Sequence, residues 1–266
     1  MQTFTKKSYL KKIKEKFIIG IIGFPLKKPR TLTLWRKKLI FIKKNISIIK
    51  FEINPRNLFS FLNTLSDLNF NYALAVTMPF KKRIIKFTNK MHPSSARAKA
   101  VNLFIKFKKK KIGYNTDVMA FDQRCKKIIK KMEQIIIIGF GGSGSSIYNY
   151  YSKIYKKKII VISKKIKKNN FYSKIKPLHL KKKSLIINCT PLGSNLNSNY
   201  EKVSPINLSL MKHVNNKSLI FDLVYSPKSN LLSKYCKKLK LNYENGIRMN
   251  TIQAKLSFNY IKKNII

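Results

Sequence analysis

Residues 135–151 read IIIIGFGGSGSSIYNYY, and the fold turns on how this stretch is read. Four isoleucines end at a glycine, small residues follow, and a run able to coil as a helix comes next. Gly139, Gly141 and Gly144 fit G-x-G-x-x-G, with Gly142 and Ser143 inside the loop. Glycines permit a tight turn and let backbone N–H groups approach a pyrophosphate at a helix N-terminus. A strand before and a helix after are the context that gives the motif meaning. A dinucleotide site is therefore expected, with Ser143, Ser145 and Ser146 adding hydroxyl donors and capping the helix.

The next apolar run, KKIIVIS (157–163), should end at the adenosine ribose of such a ligand. An NAD site normally places Asp or Glu there. Here Ser163, Lys164 and Lys165 stand instead, so NADP is the expected cofactor. The missing acid weighs more than the lysines, which are abundant throughout the chain.

Similar short β-branched runs recur at 16–24, 46–53, 72–78, 184–190 and 218–224, separated by polar stretches of helical spacing such as 54–69. They read as strands buried on both faces, as in parallel sheets. The alternation predicts an α/β fold with two sets of strands. The stretch 116–134 reads as a helix entering the second set, and 249–264 as an amphipathic helix able to return to the first.

The 266 residues are 44% hydrophobic, with nine Gly and nine Pro, a globular composition. Lys and Arg number 58 against nine acids, a formal charge of +49. Such an excess suits a polyanion partner, but a binding surface concentrates its cations and these are scattered. No RNA-binding pattern of interleaved aromatics appears, so no specific nucleic-acid partner is expected. Cys125, Cys189 and Cys236 are far apart and odd in number, and the three histidines are isolated. Neither a disulfide frame nor a metal site is suggested. The run FIIGIIGFPL (17–26) is too short to span a bilayer, and no small-residue cleavage site follows it. A cytoplasmic setting without membrane contact is expected. The sequence leaves the oligomeric state open and is compatible with a homodimer.

Further patterns fall in one order: GFPLKKPRT (23–31), AVTMPFKK (75–82), AVNLF (100–104), GYNTD (113–117), the glycine loop, INCTPLGS (187–194), FDLVYSP (221–227) and NGIRMNTIQA (245–254). Along nearly its whole length the chain resembles the shikimate dehydrogenase family. The resemblance implies an NADP-dependent oxidoreductase interconverting shikimate and 3-dehydroshikimate in aromatic amino-acid biosynthesis. It implies an N-terminal substrate-binding α/β domain, residues 1–118 with a returning helix at 245–266, and a Rossmann-like NADP domain at 119–244.

Position by position, the resemblance implies that Lys81 and Asp117 are catalytic. Thr31, Thr77, Asn102, Tyr225 and Gln253 would bind substrate. Gly246 and Met249 would join the glycine loop, Ser163, Lys164 and Lys165 around the cofactor. The chemistry agrees with these residue types: hydride transfer from a secondary alcohol needs a group to take the hydroxyl proton, and to return it in reverse. A lysine held by a carboxylate suits that task.

The chain departs from the family pattern at several points. Pro29, Arg30 and Thr31 stand where the family usually has Ser-x-Ser gripping the substrate carboxylate, so one hydroxyl is lost; Arg30 could grip the carboxylate instead. Ala75 replaces the usual asparagine, Val118 and Arg248 replace glycines, and Ser194 replaces methionine. A quinate or related polyol-acid dehydrogenase is the near alternative. A basic nucleic-acid-binding protein is the distant one.

At +49 the compact state repels itself. The melting temperature is expected to climb as sodium chloride is raised from low ionic strength. A series of thermal melts checks this, and a flat series would contradict it.

Overall fold

The computed structural model describes residues 17–26, 29–39, 46–67, 70–155, 157–163, 170–196 and 198–265. The chain forms two compact units, Met1–Met119 with Thr251–Ile266, and Ala120–Asn250. The first contains β1 (Phe17–Gly23), α1 (Arg30–Leu39), β2 (Ile46–Glu52), α2 (Leu58–Asp67), β3 (Asn71–Val76), β4 (Lys90–Met91), α3 (Pro93–Ala98), β5 (Leu103–Phe107) and β6 (Lys110–Tyr114). Helix α4 (Thr116–Lys130) runs on into the second unit. There follow β7 (Gln134–Ile138), α5 (Gly142–Tyr151), β8 (Lys158–Ile162), β9 (Phe171–Tyr172), α6 (Pro177–Leu180), β10 (Ser184–Asn188), α7 (Ser198–Glu201), α8 (Leu208–Met211), β11 (Leu219–Asp222), α9 (Leu231–Lys238) and β12 (Asn242–Asn245). The long α10 (Ile247–Ile265) carries the chain back to the first unit.

The first sheet has the order β2-β1-β3-β5-β6-β4. All seven residues of β1 are buried, because apolar side chains are needed on both faces. Ile18 and Ile22 join Phe51 and Leu74 beneath Leu58, Phe61, Leu62 and Leu65 of α2. Phe17, Ile19 and Ile21 join Leu32 and Trp35 of α1 and Phe258 and Ile261 of α10. Trp35 Nε1 donates to the carbonyl of Ala254 at 2.9 Å, which ties the returning helix to α1.

The runs read as parallel strands, β1, β2 and β3, do pair in parallel, and the antiparallel pairings involve two strands not read from the sequence. Strand β5 runs antiparallel to β3 and β6 antiparallel to β5. Only Lys108 and Lys109 separate β5 from β6. So short a link permits a hairpin and no crossover. Lys108 takes the left-handed turn conformation, with φ of 53°.

In the second sheet, ordered β12-β11-β10-β7-β8-β9, every recorded pairing is parallel. The chain winds outward from β7 through β8 to β9, then returns to β10 and winds the other way. The carboxyl ends of β7 and β10 therefore flank a topological switch point, where ligands of open α/β sheets bind.

Strand β11 ends in a fully buried carboxylate, Asp222. It accepts hydrogen bonds from Asn188 Nδ2 at 2.9 Å, Asn230 Nδ2 at 2.7 Å, the Val224 N–H at 3.0 Å and the Tyr243 hydroxyl at 3.1 Å. Burial pushes its pKa above the usual carboxylate range, and the hydrogen bonds oppose that shift. Asp222 thus links β10, β12, the start of α9 and the turn before Tyr225. Asp222→Ala would leave four donors without their acceptor and should cost about 3 kcal/mol or more. Urea denaturation measures this, and a loss below about 1 kcal/mol would rule out so central a role.

Candidate active site

Register brings the first unit's site residues together. Ile22 pairs with Val76, Ala75 with Leu103, and Leu103 with Tyr114. The carboxyl ends of β1, β3 and β6 therefore meet the amino end of β5 at one sheet edge. Backbone bonds extend the ladder past the strands: Thr77 N–H donates to Ile22, Val76 N–H to Asn102 and Val101 N–H to Lys81. This places the segment carrying Thr77 and Lys81 beside Asn102.

Lys81 Nζ lies 2.6 Å from Asp117 Oδ2. Their side chains are 15% and 21% exposed, so the pair is shielded but open to a small ligand. Asp117 is the second residue of α4, and the preceding Thr116 fixes where that helix starts. Asn102 Oδ1 accepts the Thr116 N–H at 2.6 Å, and Asn102 Nδ2 donates to Thr116 Oγ1 at 2.9 Å. Asn102 thus satisfies an N–H at the helix start.

Gln253, 5% exposed on α10, donates from Nε2 to Thr116 Oγ1 at 3.2 Å and to Ser257 Oγ at 3.0 Å. Its Oε1 accepts from Thr31 Oγ1 at 3.4 Å. Next to Thr31, Arg30 donates from Nη2 to Thr251 Oγ1 at 2.9 Å. Lys81, Asp117, Asn102, Gln253 and Thr31 thus join one polar cluster, with Thr77 on the adjoining turn and Arg30 anchored alongside. The loop leading to α1 is fixed as well: the Leu26 N–H donates to Glu52 Oε1, and Lys50 Nζ to the Leu26 carbonyl, both at 3.0 Å. Ala75 lies in the apolar cluster with Leu26, Leu103 and Tyr114.

Thr116 and Ser257, bonded to each other at 2.7 Å, hold this cluster and were not among the expected residues. Two faint signals mark them. Thr116 sits inside NTD, and Ser257 follows Gln253 by four residues on the same helical face.

In the second unit, Gly139 ends β7 with φ of 91°, a conformation that side chains disfavour. A Cβ at Gly144 would drive into the carbonyl oxygen of Gly139, so only glycine lets α5 approach the strand this closely. At Gly141 a Cβ would meet no atom within 4 Å. Open space thus fronts the N-terminus of α5, whose N-cap is Gly141, a residue with no side chain to cap it. Such a terminus, beside the switch point of a parallel sheet, fits a pyrophosphate. The serine capping expected here is corrected: Ser145 and Ser146 lie within α5 and their hydroxyls donate back to the carbonyl of Gly142. Gly142 and Ser143 open the helix.

Ser163 directly follows β8, its N–H donating to the Tyr172 carbonyl at 2.8 Å. Lys164 and Lys165 lie outside the described residues. Tyr225 is half-buried in the turn after β11, and Gly246 and Met249 are buried at and near the start of α10. No group of three or more potential metal ligands occurs among the described residues.

A polar lysine–carboxylate site on one α/β unit and a glycine-loop dinucleotide fold on the other define a two-domain oxidoreductase architecture. The sequence profile described as the shikimate dehydrogenase substrate binding domain matches residues 21–104. The chain is 30% identical over 214 residues to a shikimate dehydrogenase (NADP(+)) of Clostridium botulinum (strain Loch Maree / Type A3), covering 77% of this chain and 80% of that one. It is 29% identical over 265 residues to a shikimate dehydrogenase (NADP(+)) of Methanococcus vannielii, covering 91% and 89%. Its structure matches that of a chorismate mutase/shikimate 5-dehydrogenase fusion protein from Clostridium acetobutylicum with a TM-score of 0.77 at 23% identity, over 94% of this chain and 91% of the other. The chain belongs to the shikimate dehydrogenase family.

Proposed function

We propose that this chain is an NADP-dependent shikimate dehydrogenase, interconverting shikimate and 3-dehydroshikimate. The observation that carries the reading is the contact of Lys81 with Asp117 at 2.6 Å within the polar cluster of the first unit. NADP, when bound, supplies the hydride acceptor. Gly139, Gly141, Gly142, Ser143 and Gly144 would hold its pyrophosphate at the start of α5, with Ser163, Lys164 and Lys165 toward the 2′-phosphate and Gly246 and Met249 toward the nicotinamide. On this reading residues 1–118 and the returning helix form the substrate domain, and residues 119–244 the cofactor domain.

Lys81 and Asp117 act as a unit. As the substrate's alcohol loses hydride from carbon, its hydroxyl proton must leave the oxygen; in the reverse direction a proton must arrive there. Lys81 Nζ is the group that exchanges this proton. Asp117 holds the amine in place and balances its charge when protonated. Asn102, bonded to Thr116, would offer its remaining amide capacity to substrate hydroxyls, Gln253 would exchange a bond to Thr116, Ser257 or Thr31 for one to substrate, and Thr77 and Tyr225 would complete the contacts. Thr31 would turn its one hydroxyl from Gln253 to the carboxylate, and Arg30, bonded to Thr251, would supply a charged grip beside it.

The reading requires neither a nucleic-acid partner nor a membrane; among the described residues no helix is long and apolar enough to cross one. It places the enzyme in the cytoplasm and is compatible with a homodimer.

The purified chain, mixed with shikimate and NADP at moderate salt, should reduce the nicotinamide, followed by absorbance. Lys81→Ala should lower kcat by about 10²- to 10⁴-fold while NADP binding persists. Folded, NADP-binding protein that leaves shikimate unchanged would overturn the reading. In the same assay Arg30→Ala should raise KM for shikimate by about tenfold with kcat nearly unchanged, the signature of lost ground-state binding. An unaltered KM would show that Arg30 faces solvent.

A further inference from the structure

Within the first unit, a shallow and widely open depression of about 570 Å³ lies between the 3-10 turn Arg83–Phe87 and the β5–β6 hairpin. Lys86, Lys106, Lys108, Lys109 and Lys111 line it, and no acid among the described residues does. Lys106 is the informative member. It is only 5% exposed, and its Nζ donates to the Phe70 carbonyl at 2.8 Å. It belongs to none of the ion pairs among the described residues. A buried ammonium ordinarily sits against a carboxylate. Burial, and secondarily the charge of Lys111, pushes its pKa down.

The hairpin that carries four of these lysines is clamped. Asn89 Nδ2 donates to the Lys109 carbonyl at 3.0 Å, and Asn89 Oδ1 accepts the Lys111 N–H at 2.8 Å. Asn71 Oδ1 accepts the Lys108 N–H at 2.7 Å. The cations therefore rise from a fixed backbone around an open depression, and a ligand has only their side chains left to order.

We propose that this depression is a binding site for a compact anion carrying two or more phosphate groups. Five cations with no lining acid call for several negative charges at short spacing, which a single carboxylate does not provide. Lysine ammonium groups act as point charges well suited to phosphate oxygens, and the volume suits a small phosphorylated molecule. An even scatter of lysine over the chain explains neither a buried member nor a shared depression.

Isothermal titration of sodium tripolyphosphate into the full chain, at constant ionic strength and with NADP present, tests the proposal. Saturable binding at one site per chain is expected. The paired variant Lys108→Gln with Lys111→Gln should weaken it by about tenfold or more. Lys106→Met should do the same, and the hairpin pair decides the matter should that variant not fold. Lys237→Gln with Lys238→Gln, on the exposed face of α9 and equal in charge change, should alter affinity by less than about twofold. The proposal is overturned by an absence of saturable binding, by equal loss in both pairs, or by binding seen only in a parallel titration without NADP. The last outcome would assign the anion to the glycine loop.

Discussion

The site of the first unit depends on the hydrogen bonds around Thr116. A helix that starts in the interior exposes N–H groups that must find acceptors, or each costs the free energy of a lost bond. Asn102 meets this need from the amino end of β5, and Gln253 and Ser257 meet the threonine hydroxyl from α10. One buried side chain thereby joins the middle of the sheet to the returning helix. Asp117 is the next residue, so where its backbone lies is set by bonds that its own carboxylate does not make. The bond between Trp35 and the Ala254 carbonyl fixes the same stretch of α10 from the other side. A lysine–carboxylate pair held this way is ordered in advance of any ligand, which is what positioning requires.

The second unit uses the same device with a charge at its centre. Asp222 gathers Asn188, Asn230, Tyr243 and the Val224 N–H at the carboxyl end of β11. The two loops beside the switch point, at 189–194 and 223–227, are thereby held from beneath. Four donors offset the cost of burying the carboxylate, and each one lost would leave more of that cost uncompensated.

The fold was legible where composition and period coincided. Runs such as FIIGIIG and IIII carry no polar side chain, as strands covered on both faces require, and they form β1 and all of β7 after Gln134. The glycine loop was legible because Gly139 and Gly144 answer to geometry, a positive φ and a close backbone approach. The hairpin of β5 and β6 was not. Its sequence, LFIKFKKKKIGY, hides period-two alternation under lysines, one of which is buried in the strand. Long amphipathic stems let lysine occupy such positions, so its presence carries little information about which way a strand faces. Thr116 and Ser257 were obscure for another reason: small hydroxyls follow no period, and their partners stand far away in sequence.

In a chain with 58 basic residues, the scarce acids are the better guide to structure. Eight of the nine lie among the described residues, and six of those accept side-chain hydrogen bonds or ion pairs that fix an element. Glu52 holds the loop before α1, and Asp117 holds Lys81. Asp122 accepts from the Tyr151 hydroxyl, and Glu133 from the Lys183 N–H. Asp222 gathers its four donors. Glu244 takes both arms of the Arg124 guanidinium, its Oε1 lying 2.6 Å from Nε. A carboxylate amid so many cations finds a partner almost anywhere, so a merely solvated acid would have no fixed donor. The lysines show the reverse logic. They are too numerous to specify a place individually, and become informative only where the fold buries one or brings several around a single concavity without an acid.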